Sequence, residues 1–186
     1  MLELEDQIFE LSLSIKKSID NSMKGNKLLF FIDHSTVIES LALVEYLKIK
    51  QFRPRIYLEN GAVEEKVFDY FKSKLQSDVI ILPDFTEKEI QPILKKETMG
   101  TKLFLFGYWK MVIKIKKIAQ KIGFSEPEII VCGIGEKEER VFCVRCYHQN
   151  KKNDQPVLTC EKCSTTLDVS NHYSKRHDAY LGYIKV

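Results

Sequence analysis

No apolar run in the chain approaches the ~20 residues that a helix needs to cross a bilayer, so the sequence predicts no membrane span. The start, Met1-Leu2-Glu3-Leu4-Glu5-Asp6, is acidic where a secretory leader is basic, which predicts a cytoplasmic protein. Glycine is scarce, at 8 of 186 residues. No G-x-G-x-x-G or G-x-x-x-x-G-K-[ST] pattern occurs, so the close backbone approach to a pyrophosphate that those glycines permit is not encoded. Neither sign of charge dominates. With 29 Lys and Arg against 26 Asp and Glu, the formal net charge is +3, too small to imply a nucleic-acid partner from composition. No Ser/His/Asp or Cys/His constellation and no carboxylate pair stands out, so catalytic and cofactor-binding residues stay unassigned. Internal repeats and low-complexity tracts are absent too, and a hydrophobic content of 44% argues against disorder.

What is present begins as an alternation of helical and strand patterns. Leu2 to about Lys24 is amphipathic, with Ile8, Leu11, Leu13, Ile15 and Ile19 at roughly helical spacing and Gly25 as a stop. Lys27 to Asp33 is a nearly continuous apolar run, the pattern of a strand buried on both faces. Ser35 or Thr36 is placed to cap a helix running to about Lys50. Strands are further predicted at Arg55–Leu58, Asp78–Leu82, Lys102–Gly107 and Glu128–Cys132. Helices are predicted at Ala62–Leu75, after Thr86 with Pro92 as a kink, and at Tyr108–Ile122. The last carries Lys110, Lys114, Lys116, Lys117 and Lys121 opposite Met111, Val112, Ile115 and Ile118. It reads as a solvated helix face, with a phosphate-binding patch as the alternative. Five short apolar strands alternating with helices predict an α/β fold, a mostly parallel five-stranded sheet with helices on both faces. Residues 1–135 would form this domain. Gly133 to Glu139 reads as a linker, and 140–186 as a separate four-cysteine module.

That module holds the strongest signal. Cys143-Val144-Arg145-Cys146 and Cys160-Glu161-Lys162-Cys163 are two CxxC pairs separated by a loop. Each pair can turn two sulfurs toward one centre, and the loop can bring the second pair opposite the first. The result is a tetrahedral four-thiolate cage of the zinc-ribbon or rubredoxin-like kind. Zinc is the expected ion and iron the alternative, with a [2Fe-2S] cluster also compatible. Rubredoxin-like knuckles place glycine shortly after the second cysteine of each pair, whereas Tyr147 and Ser164 stand there, which favours zinc. Cys132 follows Ile129-Ile130-Val131 and reads as a buried strand residue outside the metal set. His34 falls at the carboxyl end of the first strand. His148 follows the first pair, and His172 and His177 lie in the tail.

Two stretches carry a resemblance. Thr101 to Cys132, with Phe106-Gly107-Tyr108 at its turn, is similar to the last strand-helix-strand of the nucleotide half of ferredoxin reductase-type oxidoreductases. The two CxxC pairs, His172-Tyr173-Ser174-Lys175-Arg176 and Ala179-Tyr180-Leu181-Gly182 resemble the C-terminal region of the dimethylamine monooxygenase A-subunit family. The resemblance implies an accessory or electron-transfer subunit of a multicomponent, NADPH-dependent amine monooxygenase, inactive alone and partnered by the other oxygenase subunits. The tail residues Tyr173, Arg176 and Tyr180 are the expected contacts to such a partner. The competing reading is a non-catalytic zinc-ribbon adaptor for a protein or nucleic acid.

Overall fold

In a computed structural model of the protein, the described residues are 27–60, 65–75, 78–98 and 100–185, so the amphipathic segment predicted at the start lies outside them. The chain divides into two compact units between Gly135 and Glu136.

The first unit is the α/β domain. Five strands, β1 (Leu28–Ile32), β2 (Arg55–Glu59), β3 (Val79–Leu82), β4 (Lys102–Tyr108) and β5 (Ile129–Ile134), form one parallel sheet in the order β3-β2-β1-β4-β5. The described helices are α1 (Val37–Ile49), α2 (Glu65–Leu75), α3 (Glu87–Lys95) and α4 (Trp109–Ile122). Successive side chains of a strand point to opposite faces, and β1 shows why its run is apolar throughout. Leu28, Phe30 and Ile32 enter one core with Leu43, Leu47 and Phe71 from α1 and α2. Leu29 and Phe31 enter the other with Ile90, Leu94, Val112, Ile115 and Ile118 from α3 and α4. Phe30 stacks on Phe104 at 4.5 Å, and Phe31 on Tyr57 at 4.8 Å.

Several local expectations change in detail. The helix after β1 starts with a 3-10 turn, His34–Thr36, and Asp33 rather than Ser35 or Thr36 is its cap. A carboxylate accepts more strongly than a hydroxyl and stands where the helix N-terminus favours negative charge. Pro92 lies inside α3, but it is on the exposed side, where water can satisfy the carbonyl that loses its N–H partner. Gly133 and Ile134 are not linker: β5 continues through them, pairing Gly133 with Gly107 and Ile134 with Tyr108. Gly133 is glycine because a Cβ there would stand 2.2 Å from the Trp109 ring.

The order β3-β2-β1-β4-β5 reverses direction between β1 and β4, and ligands of such sheets usually enter at the carboxyl ends beside that switch. Here the place is filled from within. Asp33 is buried, and its Oδ1 accepts from Ser35 N at 2.9 Å and from the Ser35 hydroxyl. Its Oδ2 accepts from Tyr108 N at 2.8 Å, across the β1–β4 gap. The carboxylate therefore ties two strand ends and a helix start together. Gly107, at φ 150°, makes room for it, since a Cβ would lie 2.2 Å from Oδ2. Gly107→Ala should destabilise this unit by about 3 kcal/mol or more through strain and lost hydrogen bonds to a charged group. Urea unfolding is the measurement. In a double-mutant cycle, Asp33→Ala should make Gly107→Ala cheaper, and strictly additive losses would contradict the contact.

Candidate metal centre

The second unit is a five-stranded sheet in the order β7-β6-β10-β9-β8, built from β6 (Arg140–Cys143), β7 (Gln149–Lys151), β8 (Val157–Thr159), β9 (Thr166–Ser174) and β10 (Ala179–Ile184). Strands β6 and β10 pair in parallel and the other neighbours are antiparallel. Each CxxC pair sits in a tight turn at the end of a strand, β6 for Cys143 and β8 for Cys160.

The two turns repeat one hydrogen-bond pattern. Tyr147 N donates to Cys143 O at 2.8 Å, and Ser164 N to Cys160 O at 2.9 Å. Cys143 N donates to His148 O, and Cys160 N to Thr165 O, both at 2.9 Å. Closing these turns puts Tyr147 at φ 64° and Ser164 at φ 55°, the left-handed region where glycine is the usual occupant. The positions flagged in sequence for lacking glycine are thus the ones where the backbone calls for it.

The four predicted ligands converge. Cys143, Cys146, Cys160 and Cys163 bring their sulfurs within 4.8 Å of one another. Cys143 Sγ to Cys163 Sγ is 3.8 Å, and Cys146 Sγ to Cys160 Sγ is 3.5 Å. A tetrahedral ion with metal–sulfur bonds of about 2.3 Å needs sulfurs about 3.8 Å apart, close to the two cross-pair separations, so the four cysteines could hold a metal ion. Cys143 and Cys160 are buried, while Cys146 and Cys163 are half-buried. Cys132 stays apart, in β5 of the other unit, packed at the edge of a hydrophobic core.

The sulfurs are not equivalent. The Thr165 hydroxyl, 3.3 Å from Cys163 Sγ, and then the Thr165 backbone N–H hold the Cys163 thiol down to about 6. Thr165 is in turn fixed by Arg145, whose Nη1 donates to its Oγ1 at 2.7 Å. That leaves the hydroxyl hydrogen for sulfur, and a cation is linked to the thiolate through one buried side chain. Burial pushes Cys146 up to about 12. At Cys160 burial pushes up, but the backbone N–H groups of Cys163 and Lys162 outweigh it and the net shift is downward.

A buried amide links the two knuckles. Asn150 Nδ2 donates to Val141 O at 3.3 Å, and its Oδ1 accepts from Glu161 N at 2.9 Å. Asn150, Thr165 and Arg145 were not singled out by sequence reasoning. Thr165, two residues past a ligand cysteine, was the available signal. The histidines are not brought to the sulfurs. His148 Nε2 faces Glu161 at 3.7 Å, His177 stacks on Phe142 at 3.9 Å, and His172 is exposed. In the α/β unit, His34 Nδ1 lies 3.8 Å from a Glu59 carboxylate oxygen.

The tail motif also acquires positions. Ala179 is buried, and a Cβ on Gly182 would stand 2.8 Å from Val141 and 3.0 Å from Leu167. Gly182 O accepts from Val144 N at 3.1 Å, inside the first knuckle. The Tyr173 hydroxyl bonds Asp178 and accepts from Lys137 Nζ at 3.0 Å, and the Tyr180 hydroxyl donates to Glu139 at 3.1 Å. Both tyrosines are half-buried, whereas Arg176 is exposed in the β9–β10 turn.

Residues 140–183 match the family described as dimethylamine monooxygenase subunit DmmA-like, C-terminal domain. The heme-dependent oxidative N-demethylase delta subunit of Ectopseudomonas mendocina (strain ymp) is 31% identical over 114 residues, covering 59% of this chain and 65% of that protein. Less than two thirds of the relative's length is therefore matched. No solved structure matches the chain. Among the described residues no helix is long and apolar enough to cross a membrane.

Competition for a metal tests this arrangement. Thr165→Val removes the hydroxyl beside Cys163 and should weaken metal binding by about tenfold or more, read against a chromophoric chelator. Unchanged affinity would remove the threonine from its assigned role.

Proposed function

We propose that the chain, whose residues 140–183 match the DmmA-like C-terminal domain, is a metal-holding accessory subunit of a multicomponent amine oxygenase. The single observation that carries this is the four-sulfur cage at metal-ligand distance inside the residues that match the family. In this reading Cys143, Cys146, Cys160 and Cys163 bind one zinc ion. Four protein ligands leave no open position for a substrate, so the ion organises the unit rather than reacting. Arg145 and Thr165 orient and polarise the ligand Cys163, and Asn150 fixes the spacing of the two knuckles. The oxygen-activating centre and the NADPH-oxidising flavoprotein belong to other subunits.

The α/β domain supports a non-enzymatic role for the isolated chain. The Asp33 carboxylate takes the two backbone donors, Ser35 N and Tyr108 N, that face the strand-order switch. A phosphate brought there would meet a negative charge and find those donors engaged. A cytoplasmic setting fits the reduced cysteines that metal binding requires.

Cys160→Ser should strip the metal and unfold residues 136–186 while the α/β domain stays folded. Cys132→Ser should keep the metal. Metal analysis with circular dichroism reads both, and the opposite pattern would sink the assignment. The purified protein should be colourless and contain zinc. A red or brown iron protein would instead make the chain an electron carrier. NADPH added to the pure chain with ferricyanide should give no turnover, and robust reduction would contradict the accessory role.

A further inference from the structure

Helix α4 carries a charge arrangement that its own fold does not explain. Its sequence from Trp109 to Ile122 contains five lysines and no acidic residue. Val112, Ile115, Ile118 and Ala119 face the core. Lys116 turns aside and pairs with Glu126 at 2.6 Å. The other four, Lys110, Lys114, Lys117 and Lys121, are exposed. Their spacing of four, three and four residues puts them on one stripe about 16 Å long. Every neighbouring pair in the stripe therefore repels. Lys110 also lies in the first turn, where no acidic residue is present and the helix dipole disfavours a cation. Lys121 has Glu87 at 3.8 Å. Among the described residues neither Lys110 nor Lys114 has an ion pair. A helix selected only for stability would place acids in its first turn and alternate signs along this face.

We propose that the exposed face of α4 is a docking surface for an acidic face of a protein partner within the assembly the chain joins. The inference rests on the subunit reading above and adds where the chain is held. A partner carboxylate row relieves the repulsion that the free chain carries, so charge complementarity identifies the occupant. Nucleic acid fits less well. The net charge of +3 shows that cations elsewhere are nearly balanced by acids. The one aromatic of α4, Trp109, packs against Gly133 rather than standing free to stack on a base. A lipid surface fits less well still, because the apolar face that would enter it is buried in the core.

The test uses the full chain and the substitution pair Lys110→Glu and Lys114→Glu. A tagged chain is purified from its native host at low salt, and the accompanying subunit is then isolated and titrated against wild type and variant. The expected result is association weakened about tenfold or more by the variant, and by a similar factor when salt rises from about 50 to about 300 mM. The variant's metal content should be unchanged and its melting temperature equal or higher, since a glutamate at position 110 suits the helix start. Loss of binding with gain of stability separates a docking role from a folding defect. The matched pair Lys110→Gln and Lys114→Gln should give an intermediate loss. Equal affinity of variant and wild type for the isolated subunit overturns the surface while leaving the subunit reading intact. Absence of any accompanying subunit overturns both. Tight binding of a duplex oligonucleotide at about 150 mM salt, lost in the variant, also overturns it in favour of nucleic acid.

Discussion

The second unit depends on whether four sulfurs can be held at metal distance. Its core cluster is Val141, Cys143, Leu158, Cys160 and Leu167, so two of those five residues are themselves candidate ligands. The stretch from Glu136 to Val186 falls below the length of about 70 residues at which one hydrophobic core rarely suffices. An ion held by the four sulfurs would supply the deficit, because about 10 kcal/mol or more of apparent binding energy becomes folding energy in such modules. The remaining features serve that constraint. Tyr147 and Ser164 accept left-handed backbone so that both turns close on the same pattern. Such conformations cost non-glycine residues about 1 kcal/mol each, small against what the ion contributes.

The α/β unit meets the opposite condition. Its sheet is covered on both faces, and the ring stacks of Phe30 on Phe104 and Phe31 on Tyr57 lie in separate cores on either side of β1. Stability there does not need a ligand. Its constraint is polar: one buried carboxylate, Asp33, satisfies donors from a helix start and from a strand end three crossovers along the chain. Related architectures leave that place to a ligand phosphate. A side chain that fills it ties the ends of β1 and β4 to the start of α1 at the switch point.

What was legible in the sequence follows from this division. Continuous apolar runs can only be strands covered twice, so β1, β2 and β4 and the α/β class were readable from residues 28–32, 55–58 and 102–106. The CxxC spacing was readable because short-range geometry alone turns two sulfurs together. Contacts fixed by distant packing were not readable. Gly133 looked like a hinge because its neighbour Trp109 is on another element. Asp33 looked like the end of a strand because its partner Tyr108 lies far along the chain. Asn150 in the short strand β7 and Thr165 in the turn after Cys163 are short polar residues, and their importance comes only from burial beside the knuckles.

The tail shows how far a family signature carries chemical meaning. Ala179 and Gly182 are small because Val141 and Leu167 pack against β10, and Gly182 O holds the first knuckle through Val144 N. Tyr173 and Tyr180 close the sheet edge through Asp178, Lys137 and Glu139. Ala179, Gly182, Tyr173 and Tyr180 therefore support the sheet that carries the four cysteines. The signature accordingly identifies a way of building a sheet that carries four converging cysteines. It leaves Arg176, exposed in its turn, as the tail residue with a charge still to place. Outside the matched residues, the lysine face of α4 and the filled switch point are where this chain departs from what its fold alone would require.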